Sequence, residues 1–144
     1  MPTVPTSGIS KITAVDFAYA KIMRSTIKLL GTAIATTNED GSRALSVFVS
    51  PTIVPLSNPL ATAKGPGNMV LINSSNMGAT TLAGPGAGRY PTANSVLNDI
   101  VRLSQNRVSP PFPLEADSSL VIDNNYKSKF YVRIRCKDEL GIIR

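Results

Sequence analysis

A glycine-rich loop that runs straight into a helical pattern constrains this chain more than any other stretch. Residues 84–88 read Gly-Pro-Gly-Ala-Gly, and Arg89, Tyr90, Pro91 and Thr92 follow. Beyond them Val96, Leu97, Ile100, Val101 and Leu103 recur at helical spacing. That pattern predicts a helix over about residues 92–106, with Thr92 as its N-cap. Glycines let a backbone approach a ligand closely, and the start of a helix offers free N–H groups to an anion. The same residues equally suit a tight strand-to-helix turn that binds nothing.

Length and composition narrow the setting of this loop. A chain of 144 residues can bury one real core but hardly two. With 42% apolar residues it is globular in composition, and its scarcity of aromatics beside frequent Val, Ile and Thr favours sheet with some helix. The expected fold is α/β (α+β), a mixed, largely antiparallel sheet with helices packed on one face. The net charge of +6 comes from basic residues spread along the chain, without a run interleaved with aromatics. A basic surface therefore explains the charge better than nucleic-acid binding.

Absent residue types exclude whole classes of chemistry from these 144 residues. With no histidine there is no Ser-His-Asp triad, no imidazole general base and no histidine metal site here. The single cysteine, Cys136, forms no internal disulfide, which fits a reducing, cytoplasmic setting. It lies in an alternating pattern that predicts a small buried side chain. No apolar run approaches the roughly 20 residues that cross a bilayer, and the first residues lack the basic and apolar regions of a signal peptide.

Along the chain, Thr13-Ala-Val-Asp16 has capping-box form, predicting a helix over about residues 14–24 that buries Val15, Ala18, Ile22 and Met23. Residues 26–36 read as a strand buried at Ile27, Leu29 and Ile34. Asn38-Glu-Asp-Gly41 is a turn signal, and in residues 43–50 Leu45, Val47 and Val49 alternate as an inward face. Prolines 51, 55 and 59 are expected to end regular pairing and give an irregular crossing over 51–63. Two short strands, 68–74 and 78–83, then deliver the chain into the glycine loop. Residues 107–126 read as a linker. Over residues 127–137, Phe130, Val132, Ile134 and Cys136 alternate with Tyr131, Arg133 and Arg135, which predicts a half-buried strand whose first set faces inward.

Several of these stretches, in order, resemble the catalytic domain of homoserine dehydrogenase. They are Gly8-Ile-Ser-Lys-Ile-Thr13 with Asp16 and Tyr19-Ala20, then Ile27-Lys-Leu-Leu30, Pro51-Thr-Ile-Val-Pro55 and Asn58-Pro-Leu-Ala61. Asn68, the glycine loop, Pro91-Thr-Ala93 and Asn98-Asp-Ile100 continue the series. The segment from Phe130, with Asp138-Glu-Leu-Gly141 at its turn and Gly141 opening a helix, resembles the start of an ACT regulatory domain. The implied organisation is a partial catalytic and dimerisation domain at 1–106, a linker at 107–126 and the beginning of an ACT-like unit at 127–144.

The resemblance implies an NADP- or NAD-dependent oxidoreductase that interconverts homoserine and aspartate semialdehyde on the route to threonine and methionine. It also implies a homodimer formed through the sheet, with neither nucleic acid nor membrane as a partner. The last glycine of the loop, matched by Gly88, would lie against the cofactor. Gly84, Gly86 and Thr92 would shape that approach. No Gly-x-Gly-x-x-Gly dinucleotide fingerprint occurs in the chain. The family's catalytic lysine and substrate-holding acidic residues fall upstream of the equivalent of Gly8 and have no counterpart here, so the isolated chain is expected to be a nearly inactive fragment. The alternative is a non-catalytic dimerisation or amino-acid-binding module.

Overall fold

The structure is a computed structural model, and it describes residues 4–107, 120–124, 126–134, 136 and 137. Helix α1 (Ala14–Ile22) leads into strands β1 (Ser25–Thr37) and β2 (Arg43–Pro55). A helical turn, Pro59–Thr62, connects them to β3 (Gly67–Ser74) and β4 (Gly78–Pro85), and α2 (Arg89–Ser104) follows. Strand β5 (Leu120–Ile122) lies within the stretch read as a linker and pairs in parallel with β2 at Arg43, Ala44 and Leu45. The result is mixed α/β with two antiparallel hairpins, β1–β2 and β3–β4.

The first hairpin turns where the sequence predicted. Gly41 takes φ +81° and its N–H donates to the Asn38 carbonyl at 3.0 Å. Asp40 Oδ1 accepts from the Ser42 N–H at 2.9 Å and from the Ser42 hydroxyl at 2.6 Å. These two bonds, the hydroxyl first, hold the Asp40 carboxyl below its ordinary pKa.

Regular pairing does not stop at the prolines. β2 continues to Pro55, with Pro51 opposite Leu29 and Pro55 opposite Ser25. The reason is edge parity. Val49 turns its N–H and C=O away from β1, bonding Pro5 and Ser7 of the N-terminal arm at 2.9 and 2.8 Å. The Val47 N–H likewise points outward, to Asn124 Oδ1 at 2.9 Å. Odd-numbered residues of β2 therefore face its outer edge, so Pro51 and Pro55 lack a donor only on the side that β1 does not use. The helical turn after them opens at Pro59, where Asn58 Oδ1 accepts from the Leu60 N–H at 3.0 Å.

The core among the described residues consists of Ala20, Ile27, Ala44, Phe48, Val54 and Ala61. Ile27 pairs with Ile53 and Val54 with Thr26, so these neighbours lie on opposite faces of the hairpin. Both faces are thus covered at the end nearest α1. Burial differs from the expected pattern in three elements. In α1 the buried residues are Asp16 and Ala20, while Val15, Ala18, Ile22 and Met23 are exposed. In β1 Leu29 and Ile34 are exposed. In β2 the buried set is Ala44, Ser46, Phe48 and Val54, and Leu45, Val47 and Val49 are only half-buried. Asp123 and Tyr126 decide this last choice of face. Ser46 donates to the Asp123 carbonyl, and the Phe48 ring stacks on Tyr126 with centroids 4.2 Å apart.

Residues 126–134 form no strand, and Phe130, Val132, Ile134 and Cys136 are exposed rather than inward-facing. The expected alternation survives with its sides exchanged: Tyr131 and Arg133 are the side chains that meet α1. The turn and helix start read at 138–144 lie outside the described residues.

Candidate glycine-loop site

Strand β4 ends at Pro85, and Gly88 is the N-cap of α2, so the loop is a three-residue hinge between strand and helix. Thr92 is therefore not the N-cap. It lies one turn inside the helix, where its N–H donates to the Gly88 carbonyl at 3.1 Å. The helix begins three residues early because Pro91, with its preset φ, sits comfortably in the first turn. Gly88 has no side chain to cap with, which leaves the N–H groups of Arg89 and Tyr90 for an outside acceptor. Arg89 lies over the Tyr90 ring, 4.6 Å from its centroid, and donates to the Tyr90 hydroxyl at 2.7 Å.

The three glycines are present for three different reasons. Gly88 takes φ +125° and ψ 155°, a conformation almost closed to other residues. Gly86 is gripped: its N–H donates to the Pro66 carbonyl at 2.8 Å, and a methyl group there would lie 1.9 Å from Asn68 Nδ2. Gly84 pairs with Asn68 across the hairpin, has no left-handed φ, and a methyl group there would meet nothing within 4 Å. The whole loop is exposed. Gly84, Gly86 and Gly88 thus form one strip of bare backbone beside a helix start, and Thr92 stands one turn behind it.

A second polar cluster escaped the sequence reading. Asp16 is buried yet accepts from the Thr13 N–H at 2.7 Å, the Thr13 hydroxyl at 2.8 Å, Tyr131 at 3.1 Å and Arg133 at 2.9 Å. The Thr13 N–H contributes most to holding its carboxyl below the ordinary pKa; the Thr13 hydroxyl, Tyr131 and Arg133 add to this, against the effect of burial. Tyr131 is pushed up by burial first and then by Asp16. A carboxylate with this many donors is an anchor and not a proton carrier. The alternation of Tyr131 and Arg133 was the available signal, but nothing in the sequence pointed it at a residue 115 positions earlier.

Among the described residues no group of His, Cys, Asp or Glu is placed to hold a metal ion, and no helix is long and apolar enough to cross a membrane.

Comparison with known proteins bears on most of the chain. The family profile of homoserine dehydrogenase matches residues 1–101. The homoserine dehydrogenase of Mycobacterium leprae is 35% identical over 140 residues, which are 94% of this chain and 32% of that protein. That of Bacillus subtilis is 33% identical over 147 residues, covering 96% of this chain and 32% of its own length. The crystal structure of a homoserine dehydrogenase from Thiobacillus denitrificans superposes on 82% of this chain and 26% of that one, at a TM-score of 0.58 and 33% identity. One of S. aureus homoserine dehydrogenase covers 77% of this chain and 27% of its own, at a TM-score of 0.60 and 28% identity. The chain spans about a third of the length of the curated relatives it matches. Matched over most of its sequence and most of its fold, the chain belongs to the homoserine dehydrogenase family.

Proposed function

We propose that this chain is the sheet-and-loop part of an enzyme that interconverts homoserine and aspartate semialdehyde with NADP or NAD, in threonine and methionine biosynthesis in the cytoplasm. The observation that carries this reading is Gly84. Its neighbours Gly86 and Gly88 are explained by a side-chain contact and by backbone conformation, but a methyl group at Gly84 would meet nothing within 4 Å among the described residues. A glycine with open space in front of it, at the exposed end of β4, suits the close approach of an outside group.

The loop fits a dinucleotide in kind. It offers bare backbone for a flat ring and two uncapped helix N–H groups for a negatively charged oxygen. When bound, the nicotinamide supplies the hydride donor or acceptor. The chain's own contribution is shape: Gly88 nearest the ring, Gly84 and Gly86 leaving room beside it, and α2 with Thr92 backing the loop. Residues 127–144 are read as the start of an ACT-like regulatory unit joined to the catalytic part through 107–126, and two copies are read as joining through the sheet.

The test is Gly84→Ala in the full-length enzyme carrying this segment. The expected result is an unchanged melting temperature and NADPH affinity weakened about tenfold, a change of roughly 1.4 kcal/mol. Unchanged affinity would remove Gly84 from the cofactor wall. A second reading, a non-catalytic dimerisation or amino-acid-binding module, draws on the exposed apolar residues of α2. It would gain if the full-length protein assembled without binding NADPH at all.

A further inference from the structure

We propose that Asn68 is the positioning residue of the glycine loop: its carboxamide fills the space beside Gly86 and holds the exposed backbone of residues 84–88 in place. The inference rests on the loop's being the cofactor wall, and it adds the residue that sets the wall's position.

Asn68 follows the turn at Lys64, Gly65 and Pro66, where Gly65 takes φ +55° and the Gly67 N–H donates to the Lys64 carbonyl at 3.1 Å. In the β3–β4 register it stands opposite Gly84, and Gly86 is its diagonal neighbour one step further along. The asparagine leaves the space in front of Gly84 open and lies across Gly86 instead. A methyl group at residue 86 would lie 1.9, 2.2 and 2.6 Å from Nδ2, Cγ and Oδ1 of Asn68. The whole flat amide therefore occupies the place of the missing side chain.

Gly86 is consequently held twice, at its N–H by the Pro66 carbonyl and at its α-carbon by the Asn68 amide. Asn68 is exposed, so this contact adds nothing to the core. Its consequence is local. Asn68, the second residue of β3, sets the height of the loop that leaves β4, and Gly88 and the start of α2 inherit that height. The glycine at 86 is accordingly there for Asn68, whereas the one at 84 is free for a ligand.

The experiment uses the full-length enzyme with Asn68→Ala, Gly86→Ala, the double variant and the isosteric Asn68→Asp. The readouts are amide hydrogen exchange across residues 84–88 and NADPH titration. Asn68→Ala and Gly86→Ala should each speed exchange in the loop by about threefold or more and weaken NADPH by a similar factor. Exchange across β1 and β2 should not change. Asn68→Asp should keep the slow loop exchange, because it keeps the shape. The double variant should be no worse than either single one, because the methyl group of Gly86→Ala displaces the same amide that Asn68→Ala removes. Unchanged loop exchange in Asn68→Ala, or losses that simply add in the double variant, would overturn the proposal. Slow loop exchange that depends on Asn68 in a wild-type protein that binds no NADPH would leave Asn68 as the loop's anchor and sink only the cofactor reading.

Discussion

The two hairpins of this chain are opposites in how they are covered. β1 and β2 are long and are covered by α1 and the turn at Pro59–Thr62 near one end and by Asp123 and Tyr126 along the other half of β2. All but Ala61 of the described core belongs to that hairpin and α1. β3, β4 and α2 contribute none of it. Val70, Ile72 and Leu82 of the second hairpin are exposed, and so is the apolar stripe of α2. A two-stranded hairpin is marginal on its own. The first hairpin thus supplies stability and the second carries the glycine loop. The candidate site sits on the part that the described residues cover least.

The sharpest way to break that division is to cut into the first hairpin. Phe48 is buried and stacked on Tyr126, so Phe48→Ala removes both core volume and the contact that ties residue 126 to β2. The expected cost is about 3 kcal/mol, at the low end for Phe→Ala because the core is small. Urea denaturation followed by circular dichroism measures it. A cost under about 1 kcal/mol would mean that the described core is not where the stability resides.

A smaller effect is expected at the junction of the second hairpin with its helix. Gly88→Ala forces a side chain into φ +125° and ψ 155°, which costs about 1–3 kcal/mol locally. The loss should appear as faster amide exchange in the first turns of α2, with β1 and β2 unaffected. If β1 and β2 loosened as well, the two regions would be one cooperative unit and the contrast between them would fail.

The same contrast explains what could be read in advance. Turn chemistry at Asn38-Glu-Asp-Gly41, the capping box at Thr13 and Asp16 and the strand-loop-helix order around residue 86 are local signals, carried by neighbouring residues, and they were legible. Burial was not. Leu45, Val47 and Val49 alternate as cleanly as Ala44, Ser46 and Phe48, and the choice between the two faces rests on Asp123 and Tyr126, some 77 residues away. The proline-bearing end of β2 was misread because residue type alone does not reveal which edge a missing N–H faces. At the site, the glycines were visible but their separate reasons were not. Gly86 needs Asn68, and that pairing exists only once β3 and β4 are in register.

A milder prediction concerns acid. The Asp16 carboxyl is held below its ordinary value, about 3.9, so its contribution is fully present above that pH and is lost as pH falls through the lower folded value. Asp16→Asn keeps the shape and removes the titration. Stability of the wild type and the variant, compared by urea midpoints from pH 7 to pH 2, should differ near neutrality and converge in strong acid. Curves that stay parallel throughout would mean that the ionised form is not what holds residues 131 and 133 against α1.

The smallest effect is the most informative about the second region. Leu97 lies on the apolar stripe of α2 and is 58% exposed, so within this chain Leu97→Ala removes little that is buried. A leucine in a packed core would cost 2–5 kcal/mol, whereas an exposed one should stay within about 0.5 kcal/mol, and alanine's high helix propensity offsets part even of that. Urea denaturation of the 144-residue chain at low concentration should therefore barely register the change. Repeating it over a hundredfold range of protein concentration sharpens the comparison, because a surface covered by a second copy would make both the stability and the Leu97→Ala cost rise with concentration. A cost near 2 kcal/mol at every concentration would be a different result altogether. It would place Leu97 against the chain's own residues, and the uncovered helix would then belong to the same core as the first hairpin.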